Sequence, residues 1–97
     1  MPLFSFPEDV RWNAALDAVE FGVAIGEYRG VVRVRREVFR RLLEQRATPE
    51  KCIEAYHLCR TELERAAEAK LRRRELTGDG NIELTGRELG RAGHSFG

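Results

Sequence analysis

Val19-Glu20-Phe21-Gly22-Val23-Ala24-Ile25-Gly26-Glu27-Tyr28-Arg29-Gly30-Val31-Val32-Arg33-Val34 is a stretch that specifies a β-hairpin together with its register. Val19, Phe21, Val23 and Ile25 alternate with Ala18, Glu20, Gly22 and Ala24, the period of a half-buried strand. After Gly26-Glu27 the alternation resumes, with Tyr28, Gly30, Val32 and Val34 facing one way and Arg29, Val31, Arg33 and Arg35 the other. A two-residue turn with Gly26 at the positive-φ first position of type II′ puts Ile25 opposite Tyr28, Val23 opposite Gly30, Phe21 opposite Val32 and Val19 opposite Val34. Apolar residues then meet apolar or small partners on one face, and Glu20 lies across from Arg33 on the other.

Beyond Val34 the period lengthens. Val38, Phe39, Leu42 and Leu43 recur at helical spacing and predict a short helix over 36–45. Thr48-Pro49-Glu50 is a helix start with an N-cap, a proline at the first position and a carboxylate at the positive end of the dipole. The helix is expected to run unbroken over 49–75 behind Cys52, Ile53, Tyr56, Cys59, Leu63, Ala66, Ala67 and Leu71. Thr77-Gly78-Asp79-Gly80 turns the chain into a short strand over 81–84, and Thr85 with Glu88 has capping-box spacing for one more helical turn.

The expected architecture is α+β: a small antiparallel sheet, hairpin 18–35 plus strand 81–84, covered on one face by a short and a long helix in the order β-β-α-α-β. Residues 1–89 are expected to form one domain and 90–97, rich in glycine, a disordered tail. A helix of 27 residues would overhang its sheet, with Ala66, Ala67 and Leu71 on the overhang, so homodimerisation through that end is expected.

Composition bounds the function classes. The 97 residues carry 17 Lys+Arg against 16 Asp+Glu, a net charge of +1, so no global field draws the chain to nucleic acid or membrane. No apolar run is long enough to span a bilayer, and the first residues lack the basic start and apolar stretch of a signal peptide. The expectation is a cytoplasmic protein without membrane contact. Cys52 and Cys59 lie seven apart on a helix, about 10.5 Å along its axis, too far for a disulfide; they read as reduced core residues.

No catalytic constellation emerges. Asp79 to Glu88 resembles a calcium loop, but with Gly80 at its sixth position the twelfth is Gly86, and with Glu88 at the twelfth the sixth is Ile82. Cys52, Glu54, His57 and Cys59 lack metal-ligand spacing, and Ser5 and Ser95 sit in terminal segments without a triad. No cofactor, no metal and no enzymatic activity are expected. Basic residues Arg29, Arg33, Arg35, Arg36, Arg40 and Arg41, with Arg72, Arg73 and Arg74, allow a nucleic-acid surface. Carboxylates dilute it, however, and Phe21, Tyr28 and Tyr56 read as core, leaving Trp12 as the exception. The outer hairpin face is flat and partly apolar, and Glu20, Gly22, Arg29, Val31, Arg33 and Arg35 form a candidate interaction surface for a protein partner.

A family resemblance spans most of 6–89. Trp12-Asn13-Ala14, Val19-Glu20-Phe21, the Gly26 turn, Val38, Phe39 and Leu42 carry its first half. Ile53-Glu54-Ala55-Tyr56, Arg60, Leu63, Ala66, Lys70-Leu71 and Asp79-Gly80-Asn81-Ile82-Glu83-Leu84-Thr85 carry the rest. Together they resemble domain of unknown function 1488, a small bacterial family. The chain departs at Arg35-Arg36, where the family favours Ser or Thr capping the first helix, and has Glu88 where Asp is usual. The resemblance implies a compact cytoplasmic bacterial α+β protein and transfers no catalytic residue. The absence of a catalytic constellation beside a flat, small-residue sheet face points to a non-enzymatic interaction or regulatory module, with nucleic-acid binding the alternative.

Overall fold

The computed structural model describes residues 4–6, 10–43 and 46–85, Leu42 by its backbone alone. The hairpin forms from β3 (Ala18–Ile25) and β4 (Tyr28–Arg35), preceded by β1 (Phe4–Ser5) and β2 (Arg11–Asn13). Its register is the expected one, with Ile25 opposite Tyr28, Phe21 opposite Val32 and Glu20 opposite Arg33. Gly26 takes φ +57° at the turn, the left-handed conformation that a side chain disfavours. Gly30 is needed for a different reason: a Cβ there would collide with the Tyr28 ring, which lies across it.

The edge beyond β3 holds two strands that the alternation did not reveal. β1 pairs Phe4 with Ile25, and β2 pairs Arg11 with Glu20 and Trp12 with Val19, both antiparallel. Five residues separate Ser5 from Arg11, whereas three separate Glu20 from Ala24. The excess of two is even, so Trp12 stays on the same face as Phe4. Strands of two and three residues are too short to display a period, which is why the sequence expectation began at Ala18.

On the other edge, β5 (Ile82–Leu84) pairs with β4 through Val32 and Ile82, Arg33 and Glu83, Val34 and Leu84, and it runs parallel. The sheet is therefore mixed, with five strands, and not the small antiparallel sheet expected. Alternation places a strand and its faces but not its direction. Here the helices carry the chain back across the sheet, as a parallel connection requires. Tyr28 Oη donates to Gly80 O at 2.8 Å and the Val31 amide donates to Asn81 Oδ1 at 3.0 Å, locking β5 in place.

Three helices cover one face: α1 (Arg36–Leu42), α2 (Pro49–Leu58) and α3 (Arg60–Arg72). In α1, Arg35 offers no side-chain cap, but the Arg36 amide donates to Asp17 O at 2.8 Å, satisfying one orphan donor of the first turn. In α2, Thr48 accepts from the Lys51 amide and Pro49 leads the helix, as the sequence predicts. The expected single helix over 49–75 is broken at Cys59, whose φ of −117° and ψ of 28° leave the helical region. Its thiol donates to Ala55 O at 2.8 Å, the carbonyl that also accepts its amide at 3.0 Å. A side chain entering the backbone ladder bends a helix without proline or glycine.

Two shorter helices thus replace the single long one. At 1.5 Å per residue α2 and α3 span about 15 and 20 Å, less than the roughly 27 Å of an eight-residue strand. Ala66 and Ala67 are buried in the core and Leu71 packs against it, so the stripe assigned to dimerisation is used within the domain. The core joins Val19, Phe21, Val23, Val32, Val34, Ile82 and Leu84 of the sheet to Phe39, Cys52, Tyr56 and Leu63 of the helices. The Phe21 and Tyr56 rings meet at 4.9 Å. The helical turn expected at Thr85–Glu88 and the tail over 90–97 lie outside the described residues.

Phe21, 1% exposed within this cluster, is one of its largest fully buried side chains, and truncating it leaves a void. Phe21→Ala is expected to cost about 3–5 kcal/mol, read as a lower urea midpoint with the slope unchanged.

Candidate functional site

The face of the sheet away from the helices carries a row of alternating charge, one residue from each of four strands. Arg11 of β2 pairs across to Glu20 of β3, Glu20 to Arg33 of β4, and Arg33 to Glu83 of β5. Period-2 alternation puts all four on the face opposite Phe21 and Val32. Glu20 is the hub. Its Oε2 accepts from Arg33 Nε at 2.9 Å and from Asn13 Nδ2 at 3.1 Å, and its Oε1 from Arg11 Nη2 at 3.1 Å. Arg35 reaches Glu83 at 3.3 Å in the adjoining row.

The carboxylate of Glu20 is only 3% exposed although no helix covers it, because the side chains bonded to it exclude water. That burial raises its pKa, but the hydrogen bonds from Arg33 and Asn13 and the charges of Arg33 and Arg11 outweigh it and hold the carboxyl below its ordinary value. It is a fixed anion within a neutralised network.

The six candidate surface residues fare unequally. Glu20 is buried and fully engaged, so it is not the exposed rim charge expected; β2, unseen in the sequence, supplies Arg11 and Asn13 to cover it. Arg33 is held against it with 14% of its side chain exposed. Gly22, Val31 and Arg35 are half-buried, and Arg29 is exposed. Ala18, read as part of the open face, has no exposed surface. What remains accessible is a strip of Gly22, Ala24, Arg29 and Val31 beside the charge row. Arg11 and Asn13 escaped sequence reasoning, although Arg11-Trp12-Asn13 alternates polar, aromatic, polar in the manner of a strand.

Trp12 is half-buried on the core side, and the Arg36 guanidinium lies 5.1 Å from its ring centroid, a cation–π contact. Of the arginines read as a basic surface, Arg33, Arg35, Arg72 and Arg73 pair with Glu20, Glu83, Glu68 and Glu75. Arg29, Arg40 and Arg74 make no ion pair among the described residues. Leu58, 81% exposed beside the helix break, is the most exposed large apolar side chain described.

The two cysteines are free and buried. Burial pushes the Cys59 thiol up to about 11, aided by the nearby Glu62 charge, and burial likewise raises Cys52. Neither is a thiolate near neutral pH. Among the described residues no group of three His, Cys, Asp or Glu side chains is placed to hold a metal, and no helix is long and apolar enough to cross a membrane.

With the fold in view, comparison with known families is decisive. The model of a family described as protein of unknown function (DUF1488) matches residues 4–84. The chain belongs to the DUF1488 family. A solved structure of a DUF1488 protein of unknown function from Shewanella loihica PV-4 superposes with a TM-score of 0.77 at 18% identity, covering 84% of this chain and 90% of that one. At that identity the likeness speaks to the fold. No curated protein matches the chain. The DUF1488 match ends at Leu84, so it encloses every strand of the sheet.

Two measurements test this geometry. Glu20→Gln should cost about 1–3 kcal/mol at pH 7 by removing a charge that three donors surround. A carboxyl with a lowered folded-state pKa contributes stability above its unfolded pKa and loses it as pH falls through the folded one. The difference between wild type and Glu20→Gln should therefore be constant near neutrality and shrink in acid, read from urea midpoints across that range. Separately, Ellman's reagent should label neither cysteine in the native protein at neutral pH and both after unfolding.

Proposed function

We propose that this chain is a cytoplasmic, non-enzymatic interaction module of a bacterial cell, which binds a protein partner through the accessible strip of its outer sheet face. The observation carrying the reading is the state of that face. Gly22, Ala24 and Val31 are small or apolar and only partly covered, and Arg29 stands exposed at their border. The neighbouring charges are neutralised in the plane of the sheet by Glu20 and Glu83. Such a surface can be dried at modest cost, because the charge row beside it is already paired, and Arg29 is left to meet a carboxylate of the partner.

The same pairing argues against the nucleic-acid alternative. Arg33, Arg35, Arg72 and Arg73 face carboxylates, so a phosphate backbone would have to compete for them. The buried thiols support the non-enzymatic part of the reading, since neither offers a nucleophile.

The variant Val31→Glu with Arg29→Glu inserts charge into the strip and leaves the Glu20 network intact, unlike a change at Arg33. Affinity capture from bacterial lysate should yield a stoichiometric protein that wild type retains and the double variant loses. Retention by both would rule out the sheet face. Nucleic acid released by moderate salt, without a protein partner, would move the function to the arginines.

A further inference from the structure

Away from the sheet face, an open cleft of about 330 Å³ separates the loop over 14–17 from the junction of β4 and α1. One wall is apolar, made by Ala14, Ala15 and Leu16; the other presents Arg35, Arg36 and Arg40, with the carboxylates of Asp17 and Glu37 beside them. Three arginines and two carboxylates line the cleft, and the carboxylate of Glu83 pairs with Arg35 from outside it. Arg36 reaches Asp17 through one Nη2–Oδ1 contact of 3.5 Å, while its buried Nε finds no hydrogen-bond partner among the described residues. A buried donor left unpaired is rare and calls for an explanation. Arg40 is exposed and makes no ion pair among the described residues. It follows Arg36 by four positions in α1, where like charges repel across one helical turn and weaken the helix. Arg35 is committed to Glu83 but remains 41% exposed.

The Trp12 and Asp17 contacts account for Arg36 but not for Arg40, and the cluster suits one ligand chemistry. Guanidinium forks match the oxygens of phosphate, and a dianion would relieve the Arg36–Arg40 repulsion. The apolar wall beside them can cover an organic group, and Glu37 can accept from a hydroxyl on it. We propose that the cleft binds a small phosphate-bearing molecule, with the phosphate seated among Arg35, Arg36 and Arg40 and the remainder against Ala14, Ala15 and Leu16. Asp17 keeps Arg36 in position, and the Trp12 ring at 5.1 Å supports it from the core side.

The test is an amide NMR titration of the ¹⁵N-labelled full chain with inorganic phosphate and, separately, glycerol 3-phosphate, at ionic strength held constant with chloride. Saturable shifts should be confined to residues 14–17 and 35–40. Arg40→Glu should weaken binding about tenfold or more, the loss of one charge-assisted contact. Arg65→Glu, the same charge change at an exposed position of α3, should leave it unchanged. Tighter binding of the ester would identify a phosphate monoester as the ligand, and equal binding would identify free phosphate. Shifts that never saturate, or an equal loss in both variants, would overturn the proposal.

Discussion

A slip of one residue between β3 and β4 would turn Val19, Phe21, Val23, Val32 and Val34 out to solvent and drive Glu20 and Arg33 beneath the helices. Neither arrangement is affordable for a domain of this size, so the hairpin register is the constraint on which the rest of the molecule hangs. Two features enforce it from opposite faces. Beneath the helices, valines and Phe21 interlock with Tyr56 and Phe39. On the outer face, the carboxylate of Glu20 finds Arg33 directly across and Arg11 on its other side. The turn at Gly26 adds the local condition, since its positive φ joins the strands with the twist they need.

Once that register is set, the remaining elements have little freedom. The parity of β4 decides which face α1 must cover, because the helix begins at Arg36 directly after the last strand residue. The Arg36 amide is held by Asp17 O, and Asp17 takes φ +52°, so the loop before β3 is shaped to receive the helix that follows β4. The fixed edge of β4 then offers its amides to β5. Asn81 docks there by accepting from the Val31 amide, Tyr28 pins the preceding turn, and Lys70 Nζ donates to Glu83 O. A lysine on the outer strand's carbonyl also blunts an edge that could pair with another chain.

The sequence revealed what rests on periodicity or on local chemistry. The hairpin and its pairing, the start of α2 at Thr48-Pro49 and the burial of both cysteines are of this kind, and all are found in the structure. It was silent on what depends on long-range geometry or on very short elements. β1 and β2 hold two and three residues, below the length at which alternation means anything. The direction of β5 depends on where three helices deliver the chain. The bend at Cys59 has no proline or glycine to announce it; there the thiol donates to the carbonyl of its own helix four residues back. On the outer face Glu20 and Arg33 pair as their positions predict, yet both are covered, because Arg11 and Asn13 come from a strand too short to show in the sequence.

The cover that Arg11 and Asn13 give Glu20 bears on how charge is used in this fold. With 34% charged residues and a net charge of +1, the chain could have carried its ions as a loose solvated coat. On the sheet it instead arranges them as a row in which neighbouring strands alternate in sign, Arg11, Glu20, Arg33 and Glu83. Each charge there stabilises a strand pairing and is removed from the long-range field. The β4–α1 junction is arranged differently: Arg36 and Arg40 stand one turn apart, Asp17 meets Arg36, and Arg40 makes no ion pair among the described residues. On α3, Arg60 with Glu64 and Glu68 with Arg72 pair opposite charges one turn apart. The contrast between a fully paired row on the sheet and an Arg40 with no ion pair among the described residues at the junction is the physical reason to look for an anion at the second and a protein at the first.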